Sequence, residues 1–278
     1  MAVDLHIHST ASDGSLQPQE IVDVAIAKGL YAIAITDHDT VAGVEPALRA
    51  AGSRGVHVLP GVEISVDFAE TEIHILGYFI DLDHKPLLDA MEKVRRGRLY
   101  RAEEMVRRLQ NLGVGITLED VLEESGDGAI GRPHVARALV KVGAVSTPQE
   151  AFDRYLARGK PAYVPRYKLS PEEAVQLIIQ AGGMPVFAHP GLARRDDMID
   201  TLIPAGLLGI EAYHTEHSAA ETQKYINMAR RRGLFITGGS DSHGPKGPIP
   251  VEIGSVCVPD QCADRLMEWA AEHNRLFV

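Results

Sequence analysis

The sequence predicts an α/β protein, a parallel sheet or barrel interrupted once by a helical insert. Short apolar strand segments alternate with amphipathic helical segments over residues 1–83 and again over 161–278, as in βαβ units. Between them, over 84–160, strand signals vanish and helical periodicity and charge dominate. Histidines and carboxylates also gather at predicted strand ends, where β/α barrels place their chemistry.

The elements follow in order. Val3 to His6 reads as the first strand. Pro18 to Lys28 reads as a helix, with Pro18 tolerated in its first turn and Gly29 ending it. Tyr31 to Thr36 is a second buried strand, and Thr40 is expected to cap a helix running to about Arg54. Val56 to Val66 and Glu72 to Ile80 follow as strands. The insert holds helices at Leu87 to Leu112, Leu118 to Glu124, Pro133 to Val142 and Pro148 to Ala157. Alternation then resumes with a helix at Pro171 to Ala181 and a strand at Met184 to Ala188. A helix at Met198 to Ala205, a strand at Leu208 to Tyr213 and a helix at Ala219 to Arg232 come next. A strand at Leu234 to Thr237 and a helix near Ala263 to His273 end the pattern. No internal repeat or low-complexity tract is present.

The chain of 278 residues has room for one large domain, or for one carrying a smaller insert. Its 45% hydrophobic and 24% charged residues are those of an ordinary globular protein. No apolar run approaches the length of a transmembrane helix. Asp4 and His6 come too early for a signal peptide, so a cytoplasmic location is expected. Cys257 and Cys262 are expected as buried small apolar side chains in a reducing compartment, not as a disulfide framework. The net charge of −10 argues against non-specific nucleic-acid binding, unless bound cations or a basic cluster reverse the sign locally. The sequence offers both.

His6 and His8 end the first strand, and strand alternation puts residues i and i+2 on one face. Asp13 follows in a Ser12-Asp13-Gly14 turn. His38 follows the second strand in Thr36-Asp37-His38-Asp39. Glu63 lies in Pro60-Gly61-Val62-Glu63 and His74 in Glu72-Ile73-His74-Ile75. His189 ends a later strand before Pro190, and Asp241 and His243 end the last. Six of the twelve histidines and three carboxylates therefore fall at or near strand ends, a set too polar to bury without compensation. Divalent ions resolve that cost, and a mixed histidine and carboxylate set suits zinc, manganese or iron better than a calcium cage. Nine ligands exceed the need of one ion, so two or three ions sharing Glu63 are expected.

In these motifs the chain resembles the PHP family, the polymerase and histidinol phosphatase superfamily. The motifs are Asp4-Leu5-His6-Ile7-His8 with Ser12-Asp13-Gly14, Thr36-Asp37-His38-Asp39, His189-Pro190 and Asp241-Ser242-His243, with Glu63 and His74 at the intermediate ligand positions. The resemblance implies a distorted (β/α)7 barrel of the PHP type carrying a small helical subdomain. It implies that His6, His8, Glu63 and Asp241 hold one ion, that Glu63, His74 and His189 hold a second, and that Asp13, His38 and His243 hold a third. Many members have histidine where Asp13 stands; the harder aspartate favours manganese or magnesium there, or weakens occupancy. Manganese is the first expectation overall, with zinc, ferrous iron and magnesium as alternatives.

Clustered divalent ions suit phosphate ester hydrolysis, because they activate water and neutralise phosphoryl charge. His243 or His38 is expected to protonate the leaving oxygen. Asp37 is a further catalytic candidate, with second-shell orientation or helix capping as the alternative.

Lys93 to Arg108 reads KVRRGRLYRAEEMVRR, with seven basic residues and two acidic ones. A solvated helix face is the plain reading. Against it, Arg98 and Arg101 share a face at i and i+3. Arg132, in Gly131-Arg132-Pro133-His134, starts a predicted helix whose free N–H groups can help hold a phosphate. Lys160 and Arg166 flank the return to the barrel. His134, Glu211 and His214 are read chiefly as structural, with the pocket wall as the alternative. The stretches Arg98-Leu99-Tyr100-Arg101-Ala102, Gly131-Arg132-Pro133-His134 and Lys160-Pro161-Ala162-Tyr163-Val164-Pro165 resemble one bacterial PHP branch. That branch contains 3',5'-nucleoside bisphosphate phosphatases that also act as 5'→3' exoribonucleases on short RNA. The resemblance implies removal of the 3'-phosphate while the arginines grip the 5'-phosphate. Aromatic residues make up 5%, with no interleaved basic stripe, so a small nucleotide or short RNA fits better than a polymer track. No membrane and no obligate protein partner are expected. The alternatives are a phosphatase of another metabolite, such as histidinol phosphate, and a non-catalytic metal-stabilised accessory module.

Overall fold

In the computed structural model, which describes residues 2–68, 71–125, 130–165, 169–247 and 250–275, the chain opens with β1 (Ala2–Ile7), buried at every residue after Ala2. A strand covered on both faces carries such an unbroken run instead of alternating. There follow α1 (Pro18–Ala27), β2 (Leu30–Ile35), α2 (Val44–Ala51), β3 (His57–Phe68) and β4 (Thr71–Tyr78). Next come α3 (Lys85–Asn111), α4 (Leu118–Ser125), α5 (Arg132–Lys141) and α6 (Pro148–Ala151), the last running into a π-helical turn, Phe152–Leu156. Then come α7 (Pro171–Gln180), β5 (Met184–Phe187), α8 (Pro190–Ala193), α9 (Asp197–Leu202) and β6 (Gly209–His214). The chain closes with α10 (Ala219–Arg232), β7 (Phe235–Gly239), β8 (Val258–Pro259) and α11 (Asp260–Glu272).

Two compact units result. One comprises Met1–Met91 with Leu169–Val278, the other Glu92–Lys168. In the first, the strands lie in the order β7-β6-β5-β4-β3-β2-β1-β8. The β1–β2–β3 and β5–β6–β7 pairs are parallel, and β4 is antiparallel to both its neighbours. An all-parallel sheet is therefore not what forms. Only residues 69–70 separate β3 from β4, far too few for the crossover that a parallel pair needs. The sheet then closes on itself. Asp241 N donates to His6 O at 2.9 Å and His8 N donates to Ser242 O at 3.0 Å, joining the end of β7 to β1. The result is a distorted barrel with helices packed around it, and the two-residue β8 added to the start of β1.

Helices cover the barrel through apolar faces. Ile21, Val22 and Ala25 of α1 pack with Ile33 and Ile35 of β2. Ile178 of α7 packs with Ile75 of β4, and Leu266 of α11 with Val3 and Leu5 of β1. The second unit has its own core, in which Ala102, Met105 and Leu109 of α3 meet Val135 and Leu139 of α5.

Two local expectations need correcting. Thr40 does not cap α2: its Oγ1 accepts from Ala42 N in a tight turn, and the helix starts later, after Gly43. Cys257 is exposed; only Cys262 is buried, and both are free thiols. Among the described residues no helix is long and apolar enough to cross a membrane.

Candidate metal centre

β1 delivers His6 and His8, two residues apart and both buried, to the same end of the barrel. Glu63 lies on β3 and His74 on β4. Register pairs Ser65 with His74, so Glu63 and His74 are diagonal neighbours on one face. His38 follows β2 and bridges to Glu63. His189 follows β5, and Asp241 and His243 follow β7.

These side chains converge. His6 Nε2 stands 3.1 Å from His8 Nε2, 3.4 Å from Glu63 Oε2 and 3.4 Å from Asp241 Oδ1. His8 Nε2 stands 3.3 Å from Glu63 Oε2 and 3.0 Å from Asp241 Oδ1. Donors bound to one ion at about 2.0–2.2 Å stand roughly 3–3.5 Å apart, so the quartet has the edge lengths of a coordination shell. The other Glu63 oxygen, Oε1, faces a different set, 2.8 Å from His74 Nδ1 and 3.0 Å from His189 Nε2. His38 Nδ1 lies 3.0 Å from Glu63 Oε2, which groups His38 with Glu63 and His74 as well as with Asp13. A third cluster joins His8, Asp13, His38 and His243. In it His243 Nε2 is 3.4 Å from Asp13 Oδ1, while His243 Nδ1 bonds Asp241 O at 2.9 Å. That bond makes Nδ1 the protonated nitrogen and leaves Nε2 with its lone pair.

The donors fit divalent ions on an independent ground. His8 Nδ1, His38 Nδ1, Glu63 Oε2 and Asp241 Oδ1 are buried side-chain atoms that make no hydrogen bond. Several such atoms facing one another are costly unless cations compensate them.

Electrostatics follow from the packing. Burial works against charge on His8, yet Asp241 and Glu63 beside it raise its pKa to about 10. His38 goes the other way. Burial, only partly opposed by Glu63 and Asp13, lowers it to about 3 and keeps its imidazole neutral, as a ligand must be. Burial also opposes ionisation of Glu63 and Asp13, but the surrounding histidines hold both carboxyls below the ordinary range.

Around these donors lies a layer of supporting groups. Asp37, a catalytic candidate from its sequence position, is completely buried and spoken for. It accepts Ser9 N, Ser9 Oγ and Ser12 Oγ, each at 2.7 Å, which ties the loop carrying Asp13 to the end of β2. Of the two expectations for Asp37, direct catalysis and orientation of its neighbours, these bonds favour the second. Gly43 makes room for it, since a Cβ there would lie 2.2 Å from Asp37 Oδ2. Asp4, which the motif contains but the ligand reading leaves without a task, accepts Ser240 N at 2.8 Å and Gly254 N at 2.7 Å. Glu211 stands 3.0 Å from His6 Nδ1, and His214 Nε2 stands 3.4 Å from Asp241 Oδ2. The signal for Glu211 was present in the sequence: a carboxylate between Ile210 and Ala212 is costly to bury unless something meets it.

The basic residues belong to the second unit. Arg98 and Arg101 are both buried there, and Arg101 Nε donates to Val164 O at 2.8 Å. Arg132 opens α5, its guanidinium carbon 5.9 Å from the ring centres of both Phe152 and Tyr163. His134 Nδ1 accepts Gly131 N at 2.8 Å, capping the same helix. Lys160 is exposed, and Arg166 lies outside the described residues.

A barrel with histidines and carboxylates massed at its strand ends defines a class of metal-dependent hydrolytic sites. The PHP domain model matches residues 4–129. A 3',5'-nucleoside bisphosphate phosphatase of Chromobacterium violaceum is 40% identical, with 87% of each chain covered. The 5'-3' exoribonuclease Rnm of Escherichia coli is 36% identical, over 87% of this chain and 85% of that one. A solved structure from Bifidobacterium adolescentis, provisionally assigned as a metal-dependent phosphoesterase, superposes with a TM-score of 0.78 at 33% identity and covers 95% of each chain. The chain belongs to the PHP family.

Proposed function

We propose that this protein is a divalent-metal-dependent phosphoesterase that removes the 3'-phosphate from nucleoside 3',5'-bisphosphates and acts on short 5'-phosphorylated RNA from its 5' end. The observation that carries the hydrolytic part is the division of Glu63, with Oε2 in the His6, His8 and Asp241 quartet and Oε1 against His74 and His189. A carboxylate shared in this way suits two neighbouring ions, with Asp13, His38 and His243 available for a third. Manganese is the first choice, with zinc, ferrous iron and magnesium as alternatives. Bound ions of this kind activate water and neutralise charge on phosphoryl oxygens. The chain's own contribution is placement. Glu63 and Asp241 bring negative charge to the quartet, and His38 and His243 flank Asp13; with His38 held neutral and the lone pair of His243 on Nε2, both are assigned as ligands in place of the expected proton donors to the leaving oxygen. Names borne by relatives at 36–40% identity support the nucleotide specificity. The arginines of the second unit, Arg98, Arg101 and Arg132, are the groups we assign to the second phosphate, with Lys160 and Arg166, which flank the return to the barrel in sequence, as further candidates and His134 serving the helix cap.

The test is an assay of purified protein with manganese against 3',5'-bisphosphoadenosine, histidinol phosphate and a 5'-phosphorylated RNA oligomer. Turnover of the bisphosphate is expected to exceed that of histidinol phosphate. Brisk histidinol phosphate turnover with none on the bisphosphate would overturn the specificity.

A further inference from the structure

Strand β6 supplies no ligand to the centre, yet it places two buried polar side chains against it. Glu211 and His214 are three residues apart, a spacing that puts side chains on opposite faces of a regular strand. The register of β6 against β7 explains how both point inward. Glu211 pairs with Thr237 and Tyr213 with Gly238, so two steps along β6 match one along β7. This extra residue at Ala212 is a β-bulge, the device that re-aims side chains beside active sites. Tyr213 is turned away and half-buried, while Glu211 and His214 are buried.

We propose that Glu211 is a positioning residue that orients the metal donors His6 and His189 together, an inference that rests on the metal reading of the centre. Its two oxygens divide the task. Oε1 lies 3.0 Å from His6 Nδ1, and Oε2 accepts the backbone N–H of His189 at 2.8 Å. A carboxylate can only accept, so His6 carries its proton on Nδ1 and turns the lone pair of Nε2 toward His8, Glu63 and Asp241. The second bond holds a backbone that needs holding. His189 precedes Pro190 and sits at φ 25°, a conformation non-glycine residues rarely adopt. One carboxylate thus spans the His6 set and the His74–His189 set from behind, as Glu63 spans them from within. His214 completes the layer. Its Nδ1 accepts Glu216 N at 3.1 Å, which leaves Nε2–H to face Asp241 Oδ2.

The discriminating variant is Glu211→Gln. It keeps the volume but presents one oxygen and one NH2, so the amide must turn a donor toward either His6 Nδ1–H or His189 N–H. Calorimetric titration with Mn2+ is expected to show affinity reduced about 10- to 100-fold. The visible spectrum of the Co2+-loaded variant should change in shape, a signature that general loosening of the fold would not give while the far-UV dichroism stays that of wild type. Wild-type affinity and a wild-type Co2+ spectrum in a folded Glu211→Gln protein would overturn the inference alone. No Mn2+ uptake by wild type would overturn the metal reading, and this inference with it. If the variant does not fold, the 15N resonances of the Zn2+-loaded wild type decide. A protonated Nδ1 on His6 supports the assignment, and a protonated Nε2 refutes it.

Discussion

Glu63 and His8 show how much depends on single side chains. Glu63 is almost fully buried, and its two oxygens face separate donor sets. Glu63→Gln replaces one oxygen by an NH2 that cannot ligate, so bound metal and phosphoesterase activity should fall together. A loss above about 100-fold is expected, beyond the range typical of supporting groups. Metal analysis beside the rate assay checks it, and full retained activity would refute the shared role. His8 provides a pH test. In the protein alone its pKa is raised to about 10, so at neutral pH it carries a proton that a cation must displace. Apparent metal affinity should therefore rise with pH above neutrality, with proton release visible when calorimetry is repeated in buffers of different ionisation enthalpy. The sign for stability is opposite. The contribution of charged His8 to the metal-free fold is complete below about pH 6.5 and is lost as pH rises through the raised value. Denaturation midpoints of metal-free wild type and His8→Asn should converge at alkaline pH; a constant gap would refute this. Most candidate ligands were readable because they stand in or just after a short apolar run, whereas Asp13 lies in the turn Ser12-Asp13-Gly14. Asp37 was left between a catalytic and an orienting role because its motif looks the same in both; its bonds to Ser9 and Ser12 favour the second.

At the scale of elements, β7 depends on its glycines. A Cβ at Gly239 would lie 2.4 Å from His6 N and Cβ, with no flexible end to move aside. Gly239→Ala should therefore cost about 1–3 kcal/mol by overpacking, and it should weaken metal binding because His6 would be displaced. Chemical denaturation and Mn2+ titration measure the two, and an unchanged midpoint would contradict the close approach. Most helices and strands were legible within a few residues, since burial on one face writes a period into the sequence. The exceptions are informative. β8 is two residues long, too short for any period, and exists only because Val258 finds Val3. The bulge in β6 is likewise invisible, because an extra residue in one strand is defined only against its partner.

At the scale of the whole molecule, the chain holds two units with separate cores. Leu139 is fully buried in the second core. Leu139→Ala should cost about 2–5 kcal/mol there, while Mn2+ stoichiometry below the melting range stays that of wild type. A loss of bound metal would show that the two units do not stand apart energetically. Arg132→Ala should raise KM for 3',5'-bisphosphoadenosine more than for a monophosphate lacking the 5' group; an equal loss on both would remove the arginine from the specificity.

The sequence alone determined which residues can ligate metal, the order of the longer strands and helices and the family, because donor chemistry and burial period are local properties. Tertiary structure alone decided the pairing of β4 with β5, the closure of β7 onto β1, and the meeting of Glu211 with His6 across 205 positions. Periodicity records that a face is buried but not what it is buried against. The division of Glu63 between two donor sets, and the carboxylate standing behind them, belong to that second kind of information.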